Sequence, residues 1–417
     1  MQVLAIGLNH NTAPIEVREK LALGDWQIKE ALISLRDHVP EGIILSTCNR
    51  TEVYTLADEQ LSEAGNVESF LCELGDMPLD ELSPYLYRFH SDEAVSHLFR
   101  IASGLESMIV GEFEVLGQVR QALADVENSG FVSLPLLNLF RQAVRVGRLA
   151  RRETGISRNP VSISSVGVEL ARKIFDNFSD CRVLVISAGE ASKLAVEALA
   201  RYGIHQITVA SRSYEKALDL ASAHGGKAVP FHHLQEPLAD VDIVIGASGA
   251  PHFILEPSDV SEAMQLRAHR PLVLIDLAMP RDFDPRIKGI ENVHLHDIDD
   301  LKSVSGSNKK QREKEIQKVT GIIDEEVARF MSWWQSFKAV PTITALVDKA
   351  EKIRRSQLNS TLRKMQVTAE ERTALDAMTQ AIVKKILHEP ISYLRNGDHG
   401  PGKIQTAREI FGLDKKT

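Results

Sequence analysis

Cysteine is scarce in this chain of 417 residues: three occur, at positions 48, 72 and 181. Three widely separated thiols make neither a disulfide framework nor a zinc-binding spacing, and they fit a reducing compartment. No apolar run approaches the roughly 18 residues of a membrane span. Residues 1–10 lack a basic start followed by a long apolar stretch, so no signal peptide is expected. Glycine (25) and proline (16) are too few for a collagen-like or low-complexity chain. Excess positive charge is also missing, since 49 Lys and Arg stand against 57 Asp and Glu, a net charge of −8. Overall charge therefore gives no general affinity for nucleic acid, although a local basic face stays open. What is present is an average soluble composition, 43% hydrophobic and 25% charged, and a length suited to two or three domains. The expectation is a cytoplasmic, multidomain protein.

Three patterns follow one another, and together they predict an α/β multidomain fold. Region 1–155 mixes strands and helices, an α+β domain. Val3–Ile6, Ile43–Leu45 and Val53–Leu56 are short strand candidates. Val95, Leu98, Phe99 and Ala102 then recur at helical spacing, with Ser91 as the expected N-cap. Val115, Val119, Ala122, Leu123 and Val126 repeat that spacing. Region 156–302 alternates strands (Val183–Ile186, Ile207–Ala210, Val241–Ile245, Leu272–Leu277) with helices (Ala191–Tyr202, Ser213–His224). Continuous apolar strands separated by helices predict a parallel sheet covered on both faces, the doubly wound Rossmann-type domain. Region 303–417 reads as all-helical. Ile316, Ile323, Phe330 and Phe337 recur every seven residues, with Val319 and Trp333 three residues after members of that series. Such a stripe needs a covering helix, supplied by the rest of the chain or by a second copy in a dimerisation domain. Pro341 is expected to open a helix, and Thr368 with Glu371 to form a capping box.

The strand Val183–Ile186 leads into Ser187, Ala188, Gly189, Glu190, Ala191 and Ser192, then an apolar helix. Only the middle glycine of G-x-G-x-x-G survives, the one at which a pyrophosphate approaches the backbone. The helix behind it offers free N–H groups and a positive dipole end. The next strand ends at Ser211-Arg212-Ser213. No acid stands there to hold a ribose 2′-hydroxyl, and an arginine suits a 2′-phosphate, which favours NADP(H) over NAD(H). Gly246 to Pro251 forms a further loop at the carboxyl edge of the sheet.

Cys48 lies in the polar run Ser46-Thr47-Cys48-Asn49-Arg50-Thr51-Glu52 between two strand candidates. Cys72 and Cys181 read as packing residues. A free thiol is mostly protonated at neutral pH, and a neighbouring arginine favours the thiolate. A nucleophilic cysteine beside a nicotinamide site points to one chemistry. Sulfur takes an acyl group as a thioester, which a hydride then reduces to an aldehyde.

The motifs G-L-N-H-N-T-A-P (7–14), S-T-C-N-R-T-E-V-Y (46–54), A-S-G-L-E-S-M-I-V-G-E (102–112), L-G-Q-V (116–119) and D-L-A-M-P-R-D (276–282), with the helical tail, resemble glutamyl-tRNA reductase over the full chain. The resemblance implies an N-terminal catalytic domain, an NADPH-binding domain and a C-terminal helical dimerisation domain. It implies that Cys48 takes glutamate from charged tRNA(Glu) as a thioester, and that NADPH reduces it to glutamate-1-semialdehyde, the first step of tetrapyrrole synthesis from glutamate. Thr47, Asn49, Arg50, Glu52, Ser107, Glu112, Glu114 and Gln118 match the glutamate-recognition region, with Arg50 as the partner of the substrate's α-carboxylate. His90 is matched to a histidine that polarises or protonates the carbonyl oxygen. A homodimer and transfer of the aldehyde to an aminomutase are implied as well. The chain departs from the family at Ser187 (usually Gly), at Phe113 and Glu114 (usually Pro and Gln) and at Asn11 (often Lys).

Arg141, Arg145, Arg148 and Arg152 fall on one side of a helix, and Lys352, Arg354, Arg355, Arg363 and Lys364 form a second basic region. Either suits phosphates or a solvated face. His294 and His296 share a strand face without a third metal ligand, and His232-His233 reads as a loop. Two other readings remain: an NADP-dependent oxidoreductase of quinate/shikimate type acting on a free small molecule, and a non-catalytic tRNA-binding homologue.

Overall fold

The computed structural model describes residues 2–24, 26–57, 63–127, 129–157, 162–267, 270–305, 307–395 and 402–414, without the side chains of 302–312 and 403. They form two compact units, Met1–Asp324 and Glu325–Thr417.

The first part of the larger unit comprises β1 (Gln2–Asn9), α1 (Ile15–Leu21), α2 (Gln27–His38), β2 (Ile43–Thr47), β3 (Arg50–Ala57), α3 (Glu63–Gly75), α4 (Leu79–Leu82), β4 (Tyr87–His90), α5 (Ser91–Ala102), α6 (Glu114–Glu127) and α7 (Leu134–Glu153). The strands form an antiparallel sheet in the order β2-β3-β1-β4. Helix α5 packs on β1 and α7, and α6 on β2 and α7. The helical spacing explains this layer, since Val95, Leu98, Phe99 and Ala102 of α5 and Val115, Val119 and Val126 of α6 are all buried. Ser91 is not the N-cap. His90 takes that position with extended backbone, while Ser91 is the first helical residue, at φ 49°, and its hydroxyl donates to Gln2.

The second part comprises α8 (Ile163–Arg172), β5 (Arg182–Ile186), α9 (Glu190–Arg201), β6 (Gln206–Ser211), α10 (Tyr214–Ser222), β7 (Lys227–Pro230), α11 (Gln235–Asp240), β8 (Ile243–Gly246), α12 (Pro257–Gln265), β9 (Leu272–Asp276), β10 (Val293–His296) and α13 (Ile298–Ser305). All strands are parallel, in the order β10-β9-β8-β5-β6-β7. The order therefore reverses between β5 and β8, and at such a switch point a crevice opens at the carboxyl ends of the strands. Both faces are buried: Val183 and Val185 join one apolar cluster, Leu184 and Ile186 the other. That is why the run is apolar without alternation. Val241 is not part of β8; its N–H bonds Pro237 O and ends α11.

Helix α14 (Ser307–Leu362) carries the division at 324/325, so the compact break lies beyond residue 302. The helix runs through Pro341, which starts no new helix. The smaller unit adds α15 (Ala369–Arg395) and α16 (Lys403–Ile410), around a small core of Ala339, Ile343 and Leu394. The expected capping box exists: Thr368 N–H donates to Glu371 at 2.8 Å, and Glu371 N–H to Thr368 Oγ1 at 3.3 Å. Ile323 and Phe330 are 1% and 3% exposed in the single chain. They are already covered, so they cannot be the seam for a second copy. No helix among the described residues is long and apolar enough to cross a membrane.

Candidate active site

Strands β2 and β3 pair Thr47 with Arg50, which leaves Cys48 and Asn49 as a two-residue turn. Backbone and hydroxyl bonds fix this tip. His10 N–H donates to Asn49 O at 2.9 Å, Asn49 N–H to Thr47 Oγ1 at 3.1 Å, and Arg18 Nη1 to Cys48 O at 3.2 Å. Thr47, Cys48 and Gln118 line a cavity of about 540 Å³ with Leu23, Gln121 and Met279. Met279 belongs to the loop after β9, so both parts of the larger unit contribute to the wall. Burial, then the charges of Glu112 and Glu114, push the Cys48 thiol up to about 12, while Arg18 acts in the opposite direction. Arg50 is not the residue that favours the thiolate, as the sequence suggested; that role falls to Arg18.

Arg50 and Glu52 point the same way from β3 and meet beneath the tip. Arg50 Nη1 donates to Glu52 Oε1 at 2.8 Å. Glu52, with no exposure, also accepts from His97 Nε2 at 3.1 Å, Tyr54 Oη at 2.6 Å and Tyr87 Oη at 2.5 Å. Burial opposes its ionisation, yet His97, Arg50 and these bonds hold its carboxyl well below the usual carboxylate range. His97 is the functional candidate that sequence reasoning missed. A histidine beside Leu98 and Phe99 reads as core, and only the fold puts Glu52 against it. His90 is not part of this site. It is exposed and pairs with Leu4, five residues along β1 from Asn9, the partner of Arg50. At about 3.3 Å per residue, roughly 16 Å separates the two ends.

Ser107 and Glu112 approach from the α5–α6 connection, and Glu114 from the first turn of α6. Arg151 pins that segment, donating to Ala102 O at 2.7 Å and to Glu112 O at 2.8 Å. Burial pushes the Glu112 carboxyl up to about 7, and burial with the charge of Glu190 raises Glu114. Asn49 Oδ1 and Glu114 Oε1 are buried without a hydrogen-bond partner. Orphaned polar atoms of this kind mark a place where a ligand completes the bonding.

The Ser187–Ser192 segment forms the β5–α9 junction. Ser187 sits at φ 103°, a conformation that favours glycine. A Cβ placed on Gly189 would have only Ser187 Oγ, at 3.7 Å, within 4 Å, so the space above this backbone is open. No side chain caps the start of α9, Ala188 and Ala191 are half-buried, and Ser192 Oγ is buried without a partner. Glu190 turns to Lys193 at 2.6 Å. Across the edge, Arg212 is exposed between half-buried Ser211 and Ser213, and Ser213 caps α10. An open cradle, free N–H groups, an orphaned hydroxyl and an exposed guanidinium fit the phosphates of a dinucleotide. Two buried acids hold the loops after β8 and β9. Asp276 accepts from Phe283 N–H at 2.8 Å, and Asp282 accepts from Ser248 N–H at 2.8 Å. Gly246 must be glycine, since a Cβ would meet Phe283 at 2.7 Å.

Among the described residues no group of three His, Cys, Asp or Glu is placed to hold a metal. Arg141, Arg145, Arg148 and Arg152 are exposed on α7. The second basic region is partly spent: Arg354 is buried and pairs with Glu351 at 2.7 Å and Asp376 at 2.6 Å.

A six-stranded parallel sheet in doubly wound order, with a thiol on the cavity beside it, defines a dinucleotide-dependent oxidoreductase. Three family models match in sequence. They are the N-terminal domain of glutamyl-tRNA(Glu) reductase over residues 6–154, shikimate/quinate 5-dehydrogenase over 169–304, and the dimerisation domain of glutamyl-tRNA(Glu) reductase over 318–413. The glutamyl-tRNA reductase of Geotalea daltonii is 38% identical over 99% of this chain and 97% of its own length. That of Thermodesulfovibrio yellowstonii is 39% identical over all of both chains. The solved glutamyl-tRNA reductase of Methanopyrus kandleri is 32% identical, covers 99% of each chain and superposes with a TM-score of 0.52. The chain belongs to the glutamyl-tRNA reductase family.

Proposed function

We propose that this chain catalyses the NADPH-dependent reduction of glutamyl-tRNA(Glu) to glutamate-1-semialdehyde, with release of tRNA, in the cytoplasmic route from glutamate to tetrapyrroles. One observation carries the reading: Cys48 stands at a hairpin tip on a cavity whose wall includes Met279 from the dinucleotide-binding part. The orphaned atoms of Asn49 and Glu114 add support. The shikimate/quinate model covers only the sheet region, which leaves the free-small-molecule reading without support at the thiol.

In the free protein the thiol keeps its proton at neutral pH, held there by burial and by the charges of Glu112 and Glu114. The aminoacyl ester carries an α-ammonium. Seated against these two carboxyls it offsets part of their negative charge, and sulfur loses its proton more readily. Sulfur then attacks the ester carbonyl. The carbon–sulfur bond forms, the bond to the terminal ribose oxygen breaks, and that oxygen takes up the proton. A nicotinamide dinucleotide, when bound, would supply the hydride that reduces the thioester to the aldehyde, with the Cys48 sulfur leaving as the thiolate. Ser187–Ser192 would hold its pyrophosphate and Arg212 its 2′-phosphate. The α-carboxyl of the substrate is the ester itself, so the carboxylate left for Arg50 is the side-chain one, shared with Glu52. Thr47 and Gln118 line the cavity, and Ser107 lies on the α5–α6 connection, as further contacts.

The exposed Arg141–Arg152 stripe suits tRNA phosphates. A homodimer is supported by the matched dimerisation domain and by exposed Met378, Ile382 and Ile386 beside a groove of about 460 Å³. The reactive aldehyde would pass to an aminomutase. The test is Cys48→Ser: binding of NADPH persists, while aldehyde formation from glutamyl-tRNA disappears. Full turnover by this variant contradicts the thioester route.

A further inference from the structure

Helix α1 is only seven residues long, yet two adjacent side chains on it each hold a different segment of the dinucleotide-binding part. Arg18 is 2% exposed and engages all three of its guanidinium nitrogens. Nε donates to Ala13 O at 3.2 Å, Nη1 to Cys48 O at 3.2 Å, and Nη2 to Asp299 on α13. Glu19 accepts a fork from Arg281, with Nε and Nη2 both at 2.8 Å, and the Arg281 N–H at 2.9 Å. Arg281 follows Met279, which lines the thiol cavity, by two residues. A planar five-donor fork can span three acceptors in this way, and a lysine cannot.

We propose that Arg18 is a positioning residue for the Cys48 nucleophile: it holds the Cys48 carbonyl and, through Asp299, links that hold to the seating of the dinucleotide-binding part. The inference rests on Cys48 being the nucleophile, and it adds a residue outside the recognition loop. A buried arginine that only glued α1 to α13 would have no reason to reach the hairpin tip. The charges that bear on the thiol come from every side: Glu112 from the α5–α6 connection, Glu114 from α6, and Arg18 from α1. Lys29 of α2 and Asp125 of α6 line the same cavity. Arg18 is the cation that also grips the residue's own backbone, so it fixes the sulfur's place and favours its charged form together.

The test uses the full-length protein and iodoacetamide, with the Cys48 peptide followed by mass across pH 7–10. Arg18→Gln should slow alkylation at pH 8 by about threefold to tenfold, as expected when a nearby cation is removed. Asp299→Asn should not slow it, because Arg18 keeps its charge and the carbonyl, yet it should lower NADPH-dependent turnover. Equal slowing in both variants would reduce Arg18 to structural glue, and an unchanged rate in Arg18→Gln would overturn the proposal. If Arg18→Gln does not fold, Arg18→Lys decides. It keeps the charge but loses the three-way fork, so acyl transfer from glutamyl-tRNA should fall about fivefold or more without a shift in the alkylation profile; normal acyl transfer would overturn the proposal. Alkylation needs no tRNA, so its outcome is separate from the substrate reading, which fails only if the parent protein makes no aldehyde.

Discussion

Replacing Glu52 by glutamine changes one atom at a site with no solvent exposure. The carboxylate accepts from Arg50 at 2.8 Å, His97 at 3.1 Å, Tyr54 at 2.6 Å and Tyr87 at 2.5 Å. An amide nitrogen cannot accept, and Arg50, 2% exposed, loses its counter-charge. Removing one partner of a buried ion pair costs about 3–5 kcal/mol, against a total domain stability of roughly 5–15 kcal/mol. Glu52→Gln should therefore lower stability at pH 7 by about 3 kcal/mol or more. Tyr54→Phe, which removes one hydroxyl, should cost about 1–2 kcal/mol. The pH dependence has a definite sign. The folded carboxyl ionises well below its unfolded value, so its contribution is complete above the unfolded value, about 4.3. It is lost only as pH falls through the lower folded value. The gap between parent and variant should be full at pH 7 and close in stronger acid. Urea unfolding followed by circular dichroism, with equal slopes in both proteins, measures it. A difference under about 1 kcal/mol at pH 7 would refute the view that this network holds the hairpin.

Glu112→Gln with Glu114→Gln should speed Cys48 alkylation in the absence of substrate, since burial remains but two charges that raise the thiol are gone; acyl transfer should become less dependent on a free α-amino group, and an unchanged alkylation rate would count against the carboxyls. Arg212→Glu should reverse the preference for NADPH over NADH, read as the ratio of kcat/KM for the two, because an acid repels a 2′-phosphate and suits a 2′-hydroxyl. Ile382→Glu with Ile386→Glu should give monomers in sedimentation, since these positions are 49% and 66% exposed in the single chain; replacing the covered Ile323 should instead unfold protein.

The sheet was legible in the sequence because a strand buried on both faces must be apolar throughout, as Val183–Ile186 is. The turn carrying Cys48 was legible because a polar run between two apolar ones has few other readings. The Arg18–Asp299 bond was not, since 281 residues separate its partners and no local pattern encodes it. His97 carries no local signal, because a helix face is read one residue at a time, whereas its meaning lies in Glu52 on another element. His90 was misplaced for the converse reason: it stands near the right helix but at the far end of β1. The heptad of Ile323 and Phe330 correctly announced a covered stripe and could not say what covers it. Ser187 departs from the family's glycine at a positive φ, and the structure keeps that backbone shape in spite of the side chain.

The most direct measurement is the intact mass of the protein after mixing with glutamyl-tRNA, with dinucleotide withheld and then added. A glutamyl adduct on Cys48 should build up in the first phase. It should vanish in the second as glutamate-1-semialdehyde is released. Aldehyde appearing with no acyl group ever resident on Cys48 would contradict the account.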